Sequence, residues 1–266
     1  MQRLLSNEYG DGVFMKKRII IIILLIILII IGGVGYFVYD DMKQEAILKQ
    51  EIVKLNNKDL GSDNYDIKIK TKGDYAYIEE AIKKYYKELS DDVKVIDHYL
   101  DDDDLANILS GDNLESDRPE FKKSYKLIDD ASSEVVEAME SISELCDEKK
   151  IKSLVDSEKL DDDYYLDLYK ELMYSKKDLQ ELKQIKSDMK KLAVDLDKFL
   201  SKEREIIDYL KANNASLEIE KGEVYFSDDN KATGYNKLID ELQDIANSDS
   251  FKNSNSKDSK NVGSGA

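Results

Sequence analysis

The sequence predicts a mainly α protein: an N-terminal transmembrane helix followed by an extracytoplasmic antiparallel helical bundle with one small β-hairpin. Three observations predict it. Residues 19–31 are an unbroken run of Ile and Leu, and no charge interrupts residues 19–39. Two long segments, 121–145 and 177–212, repeat apolar residues every seven positions. A single proline in 266 residues leaves long helices uninterrupted.

The apolar run continues through Gly32, Gly33, Val34, Gly35, Tyr36, Phe37, Val38 and Tyr39. At the helical rise residues 19–39 reach about 31 Å, the hydrocarbon thickness of a bilayer. The aliphatic run favours insertion by roughly 4–8 kcal/mol. Arg3, Lys16, Lys17 and Arg18 precede the span, and only Lys43 follows closely. The positive-inside rule therefore expects a single-pass cell-membrane protein with residues 1–18 in the cytoplasm and its C-terminal domain outside. The competing reading is a cleaved secretory signal cut near Gly33-Val34-Gly35. The apolar run continues past that cut, which argues for an uncleaved signal-anchor.

Beyond the anchor, residues 40–73 read as a juxtamembrane helix and linker. Residues 41–57 carry Ile47, Ile52, Val53 and Leu55, and residues 66–70 (DIKIK) alternate like a short strand. The bundle domain is expected over 74–248. Its first helix starts near Asp74 with Ile78, Ile82, Tyr85, Leu89, Val93, Ile96 and Tyr99 on one stripe. Ser110-Gly111-Asp112-Asn113 reads as a loop, and Ser116-Asp117 before Pro119 reads as a helix start. The next helix repeats Phe121, Ile128, Val135 and Ile142, with Ala131, Ala138 and Leu145 between them.

Asp161, Asp162 and Asp163 are expected to cap a helix bearing Tyr165, Leu168, Tyr169 and Leu172. In 177–212, Leu182, Met189, Leu196 and Leu210 take one heptad position and Ile185, Leu192, Phe199 and Ile206 the other; Glu203 is the polar intruder. Residues 217–226 alternate as a hairpin turning at Lys221-Gly222. A last amphipathic helix uses Tyr235, Leu238, Ile239, Leu242 and Ile245. Residues 249–266 have no core-forming residues and read as a disordered tail. Heptad spacing suits a compact bundle or an extended coiled-coil rod.

Composition narrows the function. Setting aside the two acidic and four basic side chains of residues 1–39 leaves 55 acidic and 36 basic, a net charge of −19. Such a surface repels nucleic acid and anionic headgroups. Cys146, the one cysteine, is expected to pack as a small apolar residue. His98, the one histidine, is expected on a helix surface, since a zinc site or triad needs more partners. Asp101, Asp102, Asp103 and Asp104 resemble a cation site in charge alone. Adjacent residues point in different directions, so a solvated loop is expected. No nucleotide-binding, hydrolase or metalloprotease motif occurs. No catalytic, cofactor-binding or metal-ligating residue is assigned, and no enzyme activity or cofactor is expected.

The Lys16-Lys17-Arg18 flank, Leu160-Asp161-Asp162-Asp163-Tyr164-Tyr165 with Leu168-Tyr169-Lys170-Glu171-Leu172-Met173, and the hairpin before a final helix resemble a loose group of uncharacterised single-pass exported helical proteins of Firmicutes. The resemblance implies location and no activity. The expected partners are the membrane, through one transmembrane helix, and a protein at the cell surface. An interaction or scaffold module is expected first, and a ligand-binding or sensor domain working with a partner protein second.

Overall fold

The computed structural model describes residues 42–61, 63–65, 67–100, 103–174 and 178–247, with Ile22 and Leu25. The expected span 19–39, apart from those two residues, lies outside the described residues. So do residues 1–18, Asp101, Asp102 and the tail 249–266. Among the described residues no helix is long and apolar enough to cross a membrane.

The described chain is mainly helical, as expected, with one two-stranded antiparallel sheet. The helices are α1 (Met42–Asn56), α2 (Asp74–Leu100), α3 (Asp103–Ala106), α4 (Gly111–Asp117), α5 (Lys122–Leu145), α6 (Glu148–Ser153), α7 (Asp163–Met173), α8 (Asp178–Ala212) and α9 (Asp229–Ala246). Strands β1 (Leu217–Glu220) and β2 (Glu223–Phe226) lie between α8 and α9. The chain forms two compact units. Among the described residues, one takes 42–97 and 138–190, and the other takes 98–137 and 191–247.

In the unit containing α1, the core is aliphatic and tyrosine-rich. Leu48, Ile52 and Leu55 of α1 and Ile78, Ile82, Tyr85, Leu89, Val93 and Ile96 of α2 are buried. Each set follows the three-and-four spacing that puts residues on one helix face. Leu145, Cys146, Ile151, Leu168, Tyr169, Leu172, Leu182, Ile185 and Met189 complete the core. The Asp162 carboxylate accepts from Tyr164 N and caps α7, as the acidic run predicts.

The linker between α1 and α2 departs from expectation. Residues 67–70 form no strand. Glu79 of α2 accepts from Lys70 N at 2.9 Å, Thr71 N at 2.7 Å and Thr71 Oγ1 at 2.7 Å. Lys83 donates to Lys68 O at 2.7 Å. The extended backbone thus spends its hydrogen bonds on helix side chains, not on a ladder, which satisfies them equally well. Lys83 also bonds Glu79 at 2.7 Å and Glu51 of α1 at 2.9 Å. Val53, one of the apolar residues named for this helix, is exposed.

In the unit containing the hairpin, Leu114, Phe121, Ile128, Ala131, Val135, Leu192, Leu196, Leu200, Ile206, Ile207, Leu210, Leu217, Val224, Tyr235 and Leu242 are buried. Two expectations are corrected here. Ser110 is not in a loop that ends at Asn113: its hydroxyl accepts from Asn113 N and caps α4. Ser116 and Asp117 end α4 and do not start the next helix. Asp117 still serves α5 across the turn, accepting from Lys123 N at 3.0 Å and Ser124 N at 2.8 Å. Pro119 lies in that turn, and α5 begins only at Lys122 after Phe121, buried at a φ of 51°. Burial of the Phe121 ring holds a backbone angle that non-glycine residues seldom take.

Candidate functional site

The hairpin is local in origin. Lys221 and Gly222 both have positive φ, 53° and 79°, as a two-residue turn matched to strand twist requires. The register pairs Leu217 with Phe226, Glu218 with Tyr225, Ile219 with Val224 and Glu220 with Glu223. Leu217 and Val224 are buried on one face, while Glu218 and Glu220 are exposed on the other.

Three contacts fix the hairpin to its unit. The Arg118 guanidinium donates to Asn214 Oδ1 at 2.9 Å, Asn214 O at 3.2 Å and Leu217 O at 2.9 Å, holding the start of β1. Gly111 at the start of α4 meets the turn backbone so closely that a Cβ there would stand 2.3 Å from Gly222 Cα. The Phe226 ring packs at 5.6 Å from Tyr235 and 6.1 Å from Tyr209. Tyr209 donates to Lys231 O, and Asp228 caps α9 through Asn230 N, so helix and hairpin form one rigid corner.

That corner holds a cleft of about 450 Å³. Its walls are Glu218 and Glu220 of β1, residues 224–227 around β2, and Asp229, Ala232, Thr233 and Asn236 of α9. The α9 residues recur at threes and fours and form one flank of the helix. Tyr225 donates its hydroxyl to Glu223. The carboxylates of Glu218, Glu220 and Asp229 have no ion-pair partner among the described residues. The side-chain oxygen of Asn236 is buried with no donor there.

A second cleft, of about 480 Å³, belongs to the other unit and is lined by Tyr77, Glu80, Lys84 and residues 153–159. Its Lys159 is paired with Asp156 at 2.8 Å and stands 5.9 Å above the Tyr77 ring. Of the two cations of this cleft, Lys84 and Lys159, the second is therefore already neutralised internally.

In the second cleft the hydrogen-bonded pair lowers Asp156 and raises Lys159, each through the other. Two acids shifted upward lie outside both clefts. Burial pushes the Asp92 carboxyl up to about 6, against a Ser141 hydrogen bond that lowers it and with Glu88 and Asp91 raising it further. Burial alone pushes Glu203 up to about 8. Neither residue lines either cleft. The Lys83 cluster is enclosed by its own hydrogen bonds. None of these has the cleft position that makes a perturbed acid a catalytic candidate.

His98 is exposed near the end of α2, its ring 5.0 Å from that of Tyr99. Cys146 is buried, and burial pushes its thiol up to about 12, far from the range of a reactive thiolate. Of the four consecutive aspartates, Asp101 and Asp102 lie outside the described residues, and Asp103 and Asp104 open α3. Among the described residues no group of His, Cys, Asp and Glu side chains is placed to hold a metal ion. The chain matches no protein-family model, no curated protein and no solved structure.

Proposed function

We propose that this chain is a membrane-anchored, extracytoplasmic module that binds or scaffolds other proteins and has no enzymatic activity of its own. The observation that carries the anchoring is the uncharged run 19–39 beside Lys16-Lys17-Arg18, too long and too apolar for any other solvent. In this reading the long helices pack antiparallel outside the cell. Their core-facing stripes are filled by their own side chains, so recognition falls to the surface. The test is proteolysis of intact, wall-stripped cells. Residues 41–266 are degraded while a tag at the N-terminus survives; protection of the C-terminal part until lysis overturns the orientation.

A ligand-binding or sensor role draws its support from the two clefts, whose sizes suit small molecules. Surface cross-linking separates the two: a scaffold is captured with a protein in the absence of any added small molecule.

A further inference from the structure

The hairpin offers more than a cleft. Ser227 N donates to Ser216 O at 3.0 Å, and the turn closes between Glu220 and Glu223. Hydrogen-bonded pairs alternate along an antiparallel ladder, so Glu218 and Tyr225 are also such a pair. The backbone groups of Leu217, Ile219, Val224 and Phe226 then point outward from the two strands. On the β1 side Leu217 O is taken by Arg118. On the β2 side the sheet ends, and neither Val224 nor Phe226 bonds another described segment through its backbone. Residues 224–227 line the cleft, so an unpaired edge strand runs along it. Unpaired edges are templates for a further strand.

The chemistry of the cleft selects what that strand carries. Every charged group in its lining is a carboxylate: Glu218, Glu220 and Asp229. The buried oxygen of Asn236 is a further acceptor without a donor. These carboxylates do not converge on a metal-sized point, since no metal-holding group occurs among the described residues. Glu218 and Glu220 stand two apart on β1 and share its exposed face, the same-face spacing of side chains on an extended chain. We propose that the cleft docks an extended peptide segment bearing lysine or arginine, which adds a third strand to the outer edge of β2 and places its cations on Glu218, Glu220 and Asp229.

The division of labour follows. Val224 and Phe226 exchange N–H and C=O bonds with the peptide backbone, which sets register without reading sequence. Donors from the cationic side chains reach the carboxylates, which sets specificity and speeds encounter. Arg118 and the Gly111–Gly222 contact hold the hairpin rigid, so little ordering is required on binding. The proposal rests on the interaction-module reading and names the partner's chemistry.

The test uses the full chain in detergent micelles and a fluorescent acetyl-KVKVKV-amide peptide at low ionic strength. The peptide binds, and the exposed double variant Glu218→Gln with Glu220→Gln weakens binding about tenfold or more. The charge-matched pair Glu140→Gln with Glu144→Gln, exposed on α5 and outside the cleft lining, leaves affinity within about twofold, which separates the cleft from the general attraction of an acidic protein. A peptide with alternate backbone nitrogens methylated loses about tenfold or more, because it cannot complete the ladder. The proposal is overturned by equal binding of the methylated peptide, by equal loss in both variant pairs, by lysine amide binding as tightly as the peptide, or by no binding. Surface cross-linking on intact cells keeps the two readings apart. If the Glu218→Gln, Glu220→Gln chain captures the same surface protein as wild type, the cleft proposal falls and the interaction reading stands. If neither chain captures a protein, the interaction reading falls.

Discussion

Lys83 Nζ lies 2.7 Å from Glu79 Oε1, one turn along the same helix, and the two side chains are 4% and 1% exposed. A Glu and a Lys four apart on a helix ordinarily form a surface pair worth a few tenths of a kcal/mol. Here the pair is buried and tied to Glu51, Thr71 and the backbone of the linker. Burial alone would raise the Glu79 carboxyl. Hydrogen bonds from Lys83, from the Thr71 side chain and from the Thr71 and Lys70 backbone outweigh it and hold the carboxyl below its usual value. Burial would likewise raise Glu51, and Lys54 and Lys83 hold it down.

Lys83→Met is therefore expected to cost roughly 3–5 kcal/mol, because it leaves the buried Glu79 carboxylate without its cation and Glu51 with Lys54 alone. The pH dependence gives a signature. Glu79 and Glu51 have folded values below 4.5, so their contribution is complete above about pH 4.5 and is lost as pH falls through the lowered values. Urea unfolding between pH 3 and 7 should show that acid loss in wild type and a flattened loss in Lys83→Met. An unchanged acid limb would mean that the cluster is not linked to folding.

Leu192 and Val194 test the seam of α8. Leu192 is 0% exposed and Val194 is 52% exposed, two residues apart on one helix. Leu192→Asp buries an unpaired charge and should cost several kcal/mol, about 4. Val194→Asp adds the same charge in water and should change stability by under about 0.5 kcal/mol. Comparable melting temperatures for the two variants would place the core on a different face.

The heptads of α8 were readable because apolar spacing is a local property. Leu182, Ile185, Met189, Leu192, Leu196, Ile206 and Leu210 are all buried where the pattern put them. The pattern omitted Ala193, Leu200 and Ile207, which are buried, and included Phe199, which is only partly so. A helix of 3.6 residues per turn drifts about 20° per heptad, so over 35 residues the buried face moves away from a strict seven-residue repeat. Lys83 and Glu79 were not readable, because hydropathy scores them as surface. Their burial depends on a linker that only tertiary structure brings to α2. The cleft was half readable. The hairpin and its turn are in the sequence; the flank of α9 that completes the cleft depends on how Phe226 meets Tyr235.

Gly111 tests the anchoring of the hairpin. Gly111→Ala would gain about 1 kcal/mol of helix propensity at the start of α4. Its Cβ would stand 2.3 Å from Gly222 Cα and 2.4 Å from Gly222 O, and neither backbone can yield as a flexible side chain would. The clash should dominate, for a net loss of roughly 1–3 kcal/mol. Hydrogen exchange should show the loss concentrated in the amides of residues 217–226. Uniform protection across the unit would show that the contact does not hold the hairpin.

Glu203 is the clearest cost in the fold. It is 4% exposed in α8, close in sequence to buried Leu200, Ile206 and Ile207, and its Oε2 has no hydrogen-bond partner among the described residues. Burial pushes its carboxyl up to about 8 from an unfolded value of 4.5. Between those values the folded chain holds a proton that the unfolded chain has released. Stability from this group therefore falls as pH rises from about 4.5 to about 8, by roughly 1.4 kcal/mol per pH unit, and levels off outside that window. Glu203→Leu removes both the proton and the buried polar group. It should stabilise the protein at pH 8 by a few kcal/mol and by much less at pH 5. Glu203→Gln should remove the pH dependence while keeping a polar group in the core. The measurement is urea unfolding of wild type and both variants from pH 5 to 9, with the difference between wild type and Glu203→Leu plotted against pH, so that every other titrating group cancels. A rising difference identifies the lone buried acid; a flat one would show that Glu203 is ionised and compensated in the folded protein.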